Sequence, residues 1–240
     1  MKYLIIDKRM RKIEKETLKS LGYELIELEK NENVYEEISS HVDIFCTKIK
    51  EKLIVEKSQY NLIKTQIEEC NSTIEIIQGE SMVTKKYPYD ISYNVCIVGN
   101  KAIHNFEYTD KKILEILKNE NFELINVNQG YSNCSIVVIN ENSVITQDLG
   151  IYNELKKYGL DILFLDDDLD IKLLNNNQYS EMKGFIGGAI SRIGNNIFVS
   201  GDLNKIDKEN RIRSFIESKK LNIIDFKDLD VIDYGGILWF

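Results

Sequence analysis

Cys134 has the setting of a reactive thiol: it follows the turn-forming stretch Gln129-Gly130-Tyr131-Ser132-Asn133 and opens a short apolar run. A thiol attacks only as the thiolate, which needs a neighbouring cation or helix N-terminus to lower its pKa. No histidine is adjacent in sequence, so a small buried residue at a strand end is the competing reading. Three aspartates recur at comparable places. Asp148 and Asp202 each follow an apolar strand and precede a helical stretch, which suits helix N-capping. Asp233, beside Tyr234-Gly235-Gly236, is the better candidate for a carboxylate that pairs with a ligand cation. Asn133, Gly187 and Gly188 complete the candidate ligand-binding set. Gly184-Phe185-Ile186-Gly187-Gly188 lacks the spacing of a phosphate loop, and a strand follows it. It reads instead as backbone that must approach other backbone closely.

The remaining candidates are weaker. His104 sits in a strand, opposite in face to Ile103, and reads as a half-buried structural residue on the outer sheet surface or against a helix. His41 precedes a strand and reads as a loop residue. Asp166-Asp167-Asp168-Leu169-Asp170 lacks the turn glycine that a calcium loop requires, so it reads as a solvated insertion running to about Lys183. No metal and no cofactor are expected.

The elements that position these residues repeat. Gly22 to Leu28, Ser72 to Ile76, Phe122 to Val127, Gly159 to Leu165 and Leu221 to Phe226 are versions of one strand, each preceded by a helical stretch and a short apolar strand. Self-similarity at this period marks a solenoid, a propeller or a closed ring. The third copy shows the unit. Tyr93 to Val98 is a first strand, Gly99-Asn100 a tight turn and Ala102 to Phe106 a second strand. Thr109 is the expected N-cap of a helix carrying Ile113, Leu114 and Leu117 at helical spacing, and Phe122 to Val127 closes the unit. The other first strands are expected at Val42 to Thr47, Asn133 to Ile139 and Gly187 to Ile193.

The first copy lacks a first strand, and Tyr234 to Phe240 is an orphan strand at the far end. Pairing the two completes a fifth unit. The second-strand positions Ile5, Ile54, Ile103, Ile145 and Phe198 lie 49, 49, 42 and 53 residues apart, and the wrap from Phe198 to Ile5 is 47. The predicted fold is a five-bladed, pseudo-symmetric α/β propeller of ββαβ units, closed by its N- and C-terminal strands. It forms a single domain over residues 1–240, with units at 234–240 plus 1–30, 42–79, 92–129, 132–167 and 184–228. Closure hides the sheet edges that an open array would expose.

Composition sets outer limits. The 240 residues are 43% hydrophobic, enough for a sizeable core, and net charge is −8. No basic cluster stands out, which argues against nucleic-acid and anionic-membrane partners. No apolar run approaches the ~18–20 residues that span a bilayer, and Met1 to Asp7 lacks signal-peptide character. Cys46, Cys70, Cys96 and Cys134 form no CxxC pair and read as free thiols in a reducing cytoplasm.

The five-unit pattern resembles the pentein, or guanidine-modifying-enzyme, superfamily, with deiminases, dimethylarginine hydrolases, amidinotransferases and a non-enzymatic ribosome anti-association branch. Gln129 to Cys134 with Ser143 to Thr146, Gly184 to Gly194, and Tyr234-Gly235-Gly236 are similar to three motif regions of agmatine deiminases. The QGYxxCS and GFIGG segments also resemble a clostridial-type group (DUF6873-like) with no assigned activity. The resemblance implies a cysteine nucleophile, a histidine acid and carboxylates that hold a guanidinium. Here the histidine position falls on Phe185, its nearby aspartate on Gly187, and the chain after Gly235-Gly236 carries no cysteine. The expectation is therefore a protein of this fold without the usual machinery, binding a small molecule in the axial pore or a protein partner. The alternative is a Cys134-dependent hydrolase or transferase acting on a guanidine, amidine or amino-acid substrate. A ribosome-binding role is disfavoured by the acidic balance.

Overall fold

The computed structural model describes residues 2–69, 72–174 and 182–240. The chain opens with β1 (Lys2–Asp7), α1 (Lys12–Ser20) and β2 (Tyr23–Leu28). Next come α2 (Val42–Phe45), β3 (Cys46–Ile49), β4 (Lys52–Val55), α3 (Lys57–Glu68) and β5 (Glu75–Gln78). They are followed by β6 (Cys96–Val98), β7 (Lys101–His104), α4 (Lys111–Asn119) and β8 (Glu123–Asn126). The fourth set is α5 (Ser132–Ser135), β9 (Ile136–Val138), β10 (Ser143–Thr146), α6 (Leu149–Leu155) and β11 (Asp161–Phe164). A short β12 (Lys172–Leu173) precedes α7 (Ile186–Ala189), β13 (Ile190–Ile193), β14 (Asn196–Val199), α8 (Arg211–Ser218) and β15 (Asn222–Ile224). The chain ends with β16 (Ile232–Asp233) and β17 (Leu238–Trp239).

Fifteen of these strands form five three-stranded sheets of one pattern, β17-β1-β2, β3-β4-β5, β6-β7-β8, β9-β10-β11 and β13-β14-β15, while β12 and β16 pair in parallel as a separate two-stranded sheet. In each of the five, the first two strands are antiparallel and the last two parallel. A tight turn can join antiparallel neighbours, whereas the parallel step needs a crossover, which the helix supplies. The sheets are not hydrogen-bonded to one another among the described residues, so no barrel closes. The two termini meet in one sheet: Ile5 pairs with Leu238 and Leu4 with Trp239, and Tyr3 and Phe240 exchange backbone hydrogen bonds of 2.9 and 3.1 Å.

Burial follows from the strand order. The middle strands are covered on both faces and read as continuous apolar runs, such as Leu4-Ile5-Ile6, Leu53-Ile54-Val55 and Ile197-Phe198-Val199, all fully buried. The helices bury one stripe, as Ile113, Ile116 and Leu117 of α4 do.

Three local features depart from the sequence-based expectation. The first strands are shorter than predicted, because Val42–Phe45, Ser132–Ser135 and Ile186–Ala189 each form one helical turn before the strand begins. Short apolar runs carry no period that separates a buried turn from a strand. The N-cap of α4 is Asp110, not Thr109: its carboxylate accepts from Lys112 and Ile113 N–H, while the Thr109 hydroxyl is held 2.6 Å from His104 Nδ1. His104 is fully buried rather than half-exposed, with Nε2 3.0 Å from the Gly130 carbonyl. Burial lowers its pKa to about 4, so the ring is neutral.

Candidate functional site

The helical turns and their flanks face two cavities. The larger, of about 560 Å³, draws residues from β3, β9, β13 and β17 and from the Val95–Ile97 segment that enters β6. The smaller, of about 220 Å³, is lined by His41, Ile44, Tyr131, Cys134, Phe185 and Asp233, among others. His41, Tyr131 and Phe185 are each the residue just before a helical turn (α2, α5 and α7). Asp43, Asn133 and Gly187 are the second residues of those turns, and Ile44, Cys134 and Gly188 the third. Repetition of the unit thus brings chemically different residues to equivalent places around one point.

Cys134 is at the centre of this arrangement. Its thiol donates to Asp43 Oδ2 at 2.7 Å and accepts from Asn94 Nδ2 at 3.1 Å. Asn94 fixes the turn as well: its Oδ1 accepts from the backbone N–H of Asn133 at 2.8 Å and of Cys134 at 3.2 Å. Asp43 lines the larger cavity and Cys134 the smaller, so their hydrogen bond crosses the partition between the two. The Asp233 carboxylate accepts from Phe185 N–H and Gly235 N–H, both at 2.8 Å, and lies 3.7 Å from His41 Nδ1. The glycines make this approach feasible. A Cβ at Gly188 would overlap Asp233 Oδ1, and one at Gly187 would overlap the carbonyl oxygens of Asn133 and Cys134.

Electrostatics follow from burial and the paired carboxylates. Burial, with Asp43 and Asp233 nearby, pushes the Cys134 thiol well above its usual pKa, so it rests protonated. Burial and Asp233 raise Asp43 well above the carboxylate range. Burial lowers His41, against the opposing pull of Asp233 and Asp7, and the imidazole is neutral. Two polar atoms here have no partner among the described residues, Asp43 Oδ1 and His41 Nε2. Buried polar atoms are rarely left so, which marks both as positions where a ligand or water would bond.

Of the sequence candidates, Cys134 and Asp233 share the smaller cavity, Asn133 and Gly187 line the larger, and Gly188 packs on Asp233. Asp148 and Asp202 line neither cavity, and their carboxylates are committed to local backbone and amide donors. Asp148 accepts from Ile151 N–H at 2.8 Å, and Asp202 from Asn204 N–H at 2.9 Å and Asp228 N–H at 2.8 Å. The acidic insertion pairs Asp166 and Asp167 with Arg211, at 3.1 and 3.2 Å. Among the described residues no cluster of three or more His, Cys, Asp or Glu side chains could hold a metal. Residues 175–181 of the insertion and Cys70 lie outside the described residues. Sequence reading missed three members of the site, His41, Asp43 and Asn94. The available signal was the repeat itself: His41 and Asp43 occupy in their unit the places that Phe185 and Gly187 occupy in theirs.

Solved structures share this fold at low identity. DDAH from Pseudomonas aeruginosa, complexed with citrulline, matches at 9% identity and a TM-score of 0.58, over 95% of this chain and 91% of that one. C. jejuni agmatine deiminase matches at 13% identity and a TM-score of 0.52, over 95% and 75%. The inosamine-phosphate amidinotransferase from Streptomyces griseus matches at 11% identity and a TM-score of 0.52, over 93% and 75%. These likenesses make the fold that of the pentein superfamily. No curated protein matches the sequence. A family model described as a family of unknown function (DUF6873) covers residues 5–238, and the chain belongs to that family.

Proposed function

We propose that the five sheets form a closed, five-bladed single-domain ring. We further propose that the Cys134 pocket is the active site of a cysteine-dependent enzyme acting on a small guanidine- or amidine-type cation. The observation that carries this reading is the Cys134 thiol bonded to Asp43, in a pocket shared with His41 and Asp233. The resemblance places a histidine and its nearby aspartate, in the resembling enzymes, at the positions of Phe185 and Gly187. Here a histidine and an aspartate stand instead at another turn, as His41 and Asp43. In a pseudo-symmetric ring, moving the pair from one unit to another preserves its distance from the axis.

A bound cation beside Asp43 and Asp233 offsets their charge and favours the thiolate. The thiol proton passes to Asp43, sulfur attacks the cationic carbon, and one carbon–nitrogen π pair moves onto nitrogen. The leaving amine takes a proton from Asp43 as its bond to carbon breaks. Water, losing a proton to His41 Nε2, displaces the sulfur. The imidazolium reprotonates the thiolate, and the product sheds its remaining proton to solvent.

A second reading, ligand binding without turnover, is favoured by the protonated resting state of Cys134. Incubation with agmatine, arginine and simple amidines, read as ammonia or amine release, separates the two. Release lost in Cys134→Ser and His41→Gln supports the enzyme. Binding of an amidine with no release, and no alkylation of Cys134 by an amidine-bearing haloalkyl reagent, supports the binder. The thiols Cys46, Cys96 and Cys134 are all free, which supports a reducing, cytoplasmic setting.

A further inference from the structure

We infer that the larger cavity, across the partition from Cys134, is a second ligand site that takes an oxyanion carried on an apolar body. Part of its wall is apolar, with Ile97, Val138 and Ile190 contributed by three sheets, and the carboxylates of Asp43, Glu51 and Glu141 also line it. Its rim carries Lys48 and Arg192, on the first strands of the two sheets that flank Trp239 in the proposed ring. Both cations are half-buried, and neither has a carboxylate partner among the described residues. Lys48 Nζ donates to the Trp239 carbonyl at 2.9 Å and lies 5.1 Å from the centre of its ring. Among the described residues Arg192 bonds through Nε alone, donating to the Gly194 carbonyl at 3.0 Å. The planar pair of terminal nitrogens on Arg192 has no hydrogen-bond partner among the described residues.

The absence of a carboxylate partner among the described residues is informative in this chain. Net charge is −8, and Lys50, two residues from Lys48, is paired with Glu120 at 2.7 Å. Burial lowers the Lys48 pKa while Glu51 partly restores it without closing an ion pair. A half-buried cation that has shed water without gaining a counter-ion has its partner missing, and an arginine with both terminal nitrogens free matches a carboxylate or phosphate. The apolar part of the wall favours an anion attached to a hydrophobic body over a bare ion, because burying that body adds to binding. Trp239, exposed to 39%, offers a face for the same body.

Titration of the full chain with hexanoate, inorganic phosphate, hexanol and hexylamine, by calorimetry and thermal shift, tests this. Hexanoate is expected to bind, with phosphate weaker and hexanol and hexylamine inert. Arg192→Gln and Lys48→Gln are each expected to weaken hexanoate about tenfold, the cost of one charge-assisted hydrogen bond. Arg192→Lys should restore part of the binding. Cys134→Ser should leave it unchanged, which keeps this site independent of the proposed chemistry. Equal binding of hexanol, or full hexanoate binding by the doubly substituted protein, would overturn the proposal. Phosphate binding as tight as hexanoate would overturn the apolar-body half of it.

Discussion

Cys134, Asp43, Asp233 and His41 place four titratable side chains together with burial on every side, and burial raises Cys134 and Asp43 and lowers His41. Because burial first, and then Asp43 and Asp233, hold the thiol protonated, Asp43→Asn is expected to speed alkylation of Cys134 by iodoacetamide at pH 8, measured by mass spectrometry of the peptide. An unchanged rate would remove Asp43 from control of the thiol. His104 makes a separate prediction about stability. Its folded pKa is about 4 against 6.5 in the unfolded chain. Between those values the unfolded state binds more protons, so stability falls as pH drops from 6.5 to 4, by about 3 kcal/mol from this residue. Denaturant titrations across that window should show a shallower slope in His104→Gln. Residue types alone made Cys134 and Asp233 legible, but His41 read as a loop residue and Asp43 drew no attention. Nothing local in the sequence says that residues 41 and 233 will be neighbours.

At the scale of elements, the sequence carried the strand–strand–helix–strand order and hid the helical turns. Val42 to Phe45 and Ile186 to Ala189 look like strand because both are short and apolar, yet each turns once before extending. That turn sets which side chain faces the pocket. Within it Gly187 is a packing requirement, since a Cβ would meet the backbone of the neighbouring turn at Asn133 and Cys134. Gly187→Ala is expected to destabilise the protein by roughly 1–3 kcal/mol, the usual range for overpacking a tight site, as read by urea denaturation. An alanine variant as stable as the parent would mean that the two turns can move apart.

At the scale of the molecule, β17 is the device that joins the chain ends. Deleting residues 238–240 leaves β1 with an unpaired edge carrying Leu4 and Ile5. The expected outcome is loss of the single cooperative thermal transition, together with aggregation on size-exclusion chromatography. A sharp transition near the parent temperature would show that the β1–β17 pairing is dispensable. No helix among the described residues is long and apolar enough to cross a membrane, and the burial pattern is that of packed sheets and helices. The sequence by itself determined the unit, its repetition and the pairing of the terminal strands, because apolar period and turn chemistry are local signals that survive without coordinates. Only the tertiary structure decided the site. Its residues come from separate units, with Asp43 and Cys134 91 positions apart. They meet because repeated units direct equivalent turns toward one centre, a relation of space and not of sequence distance.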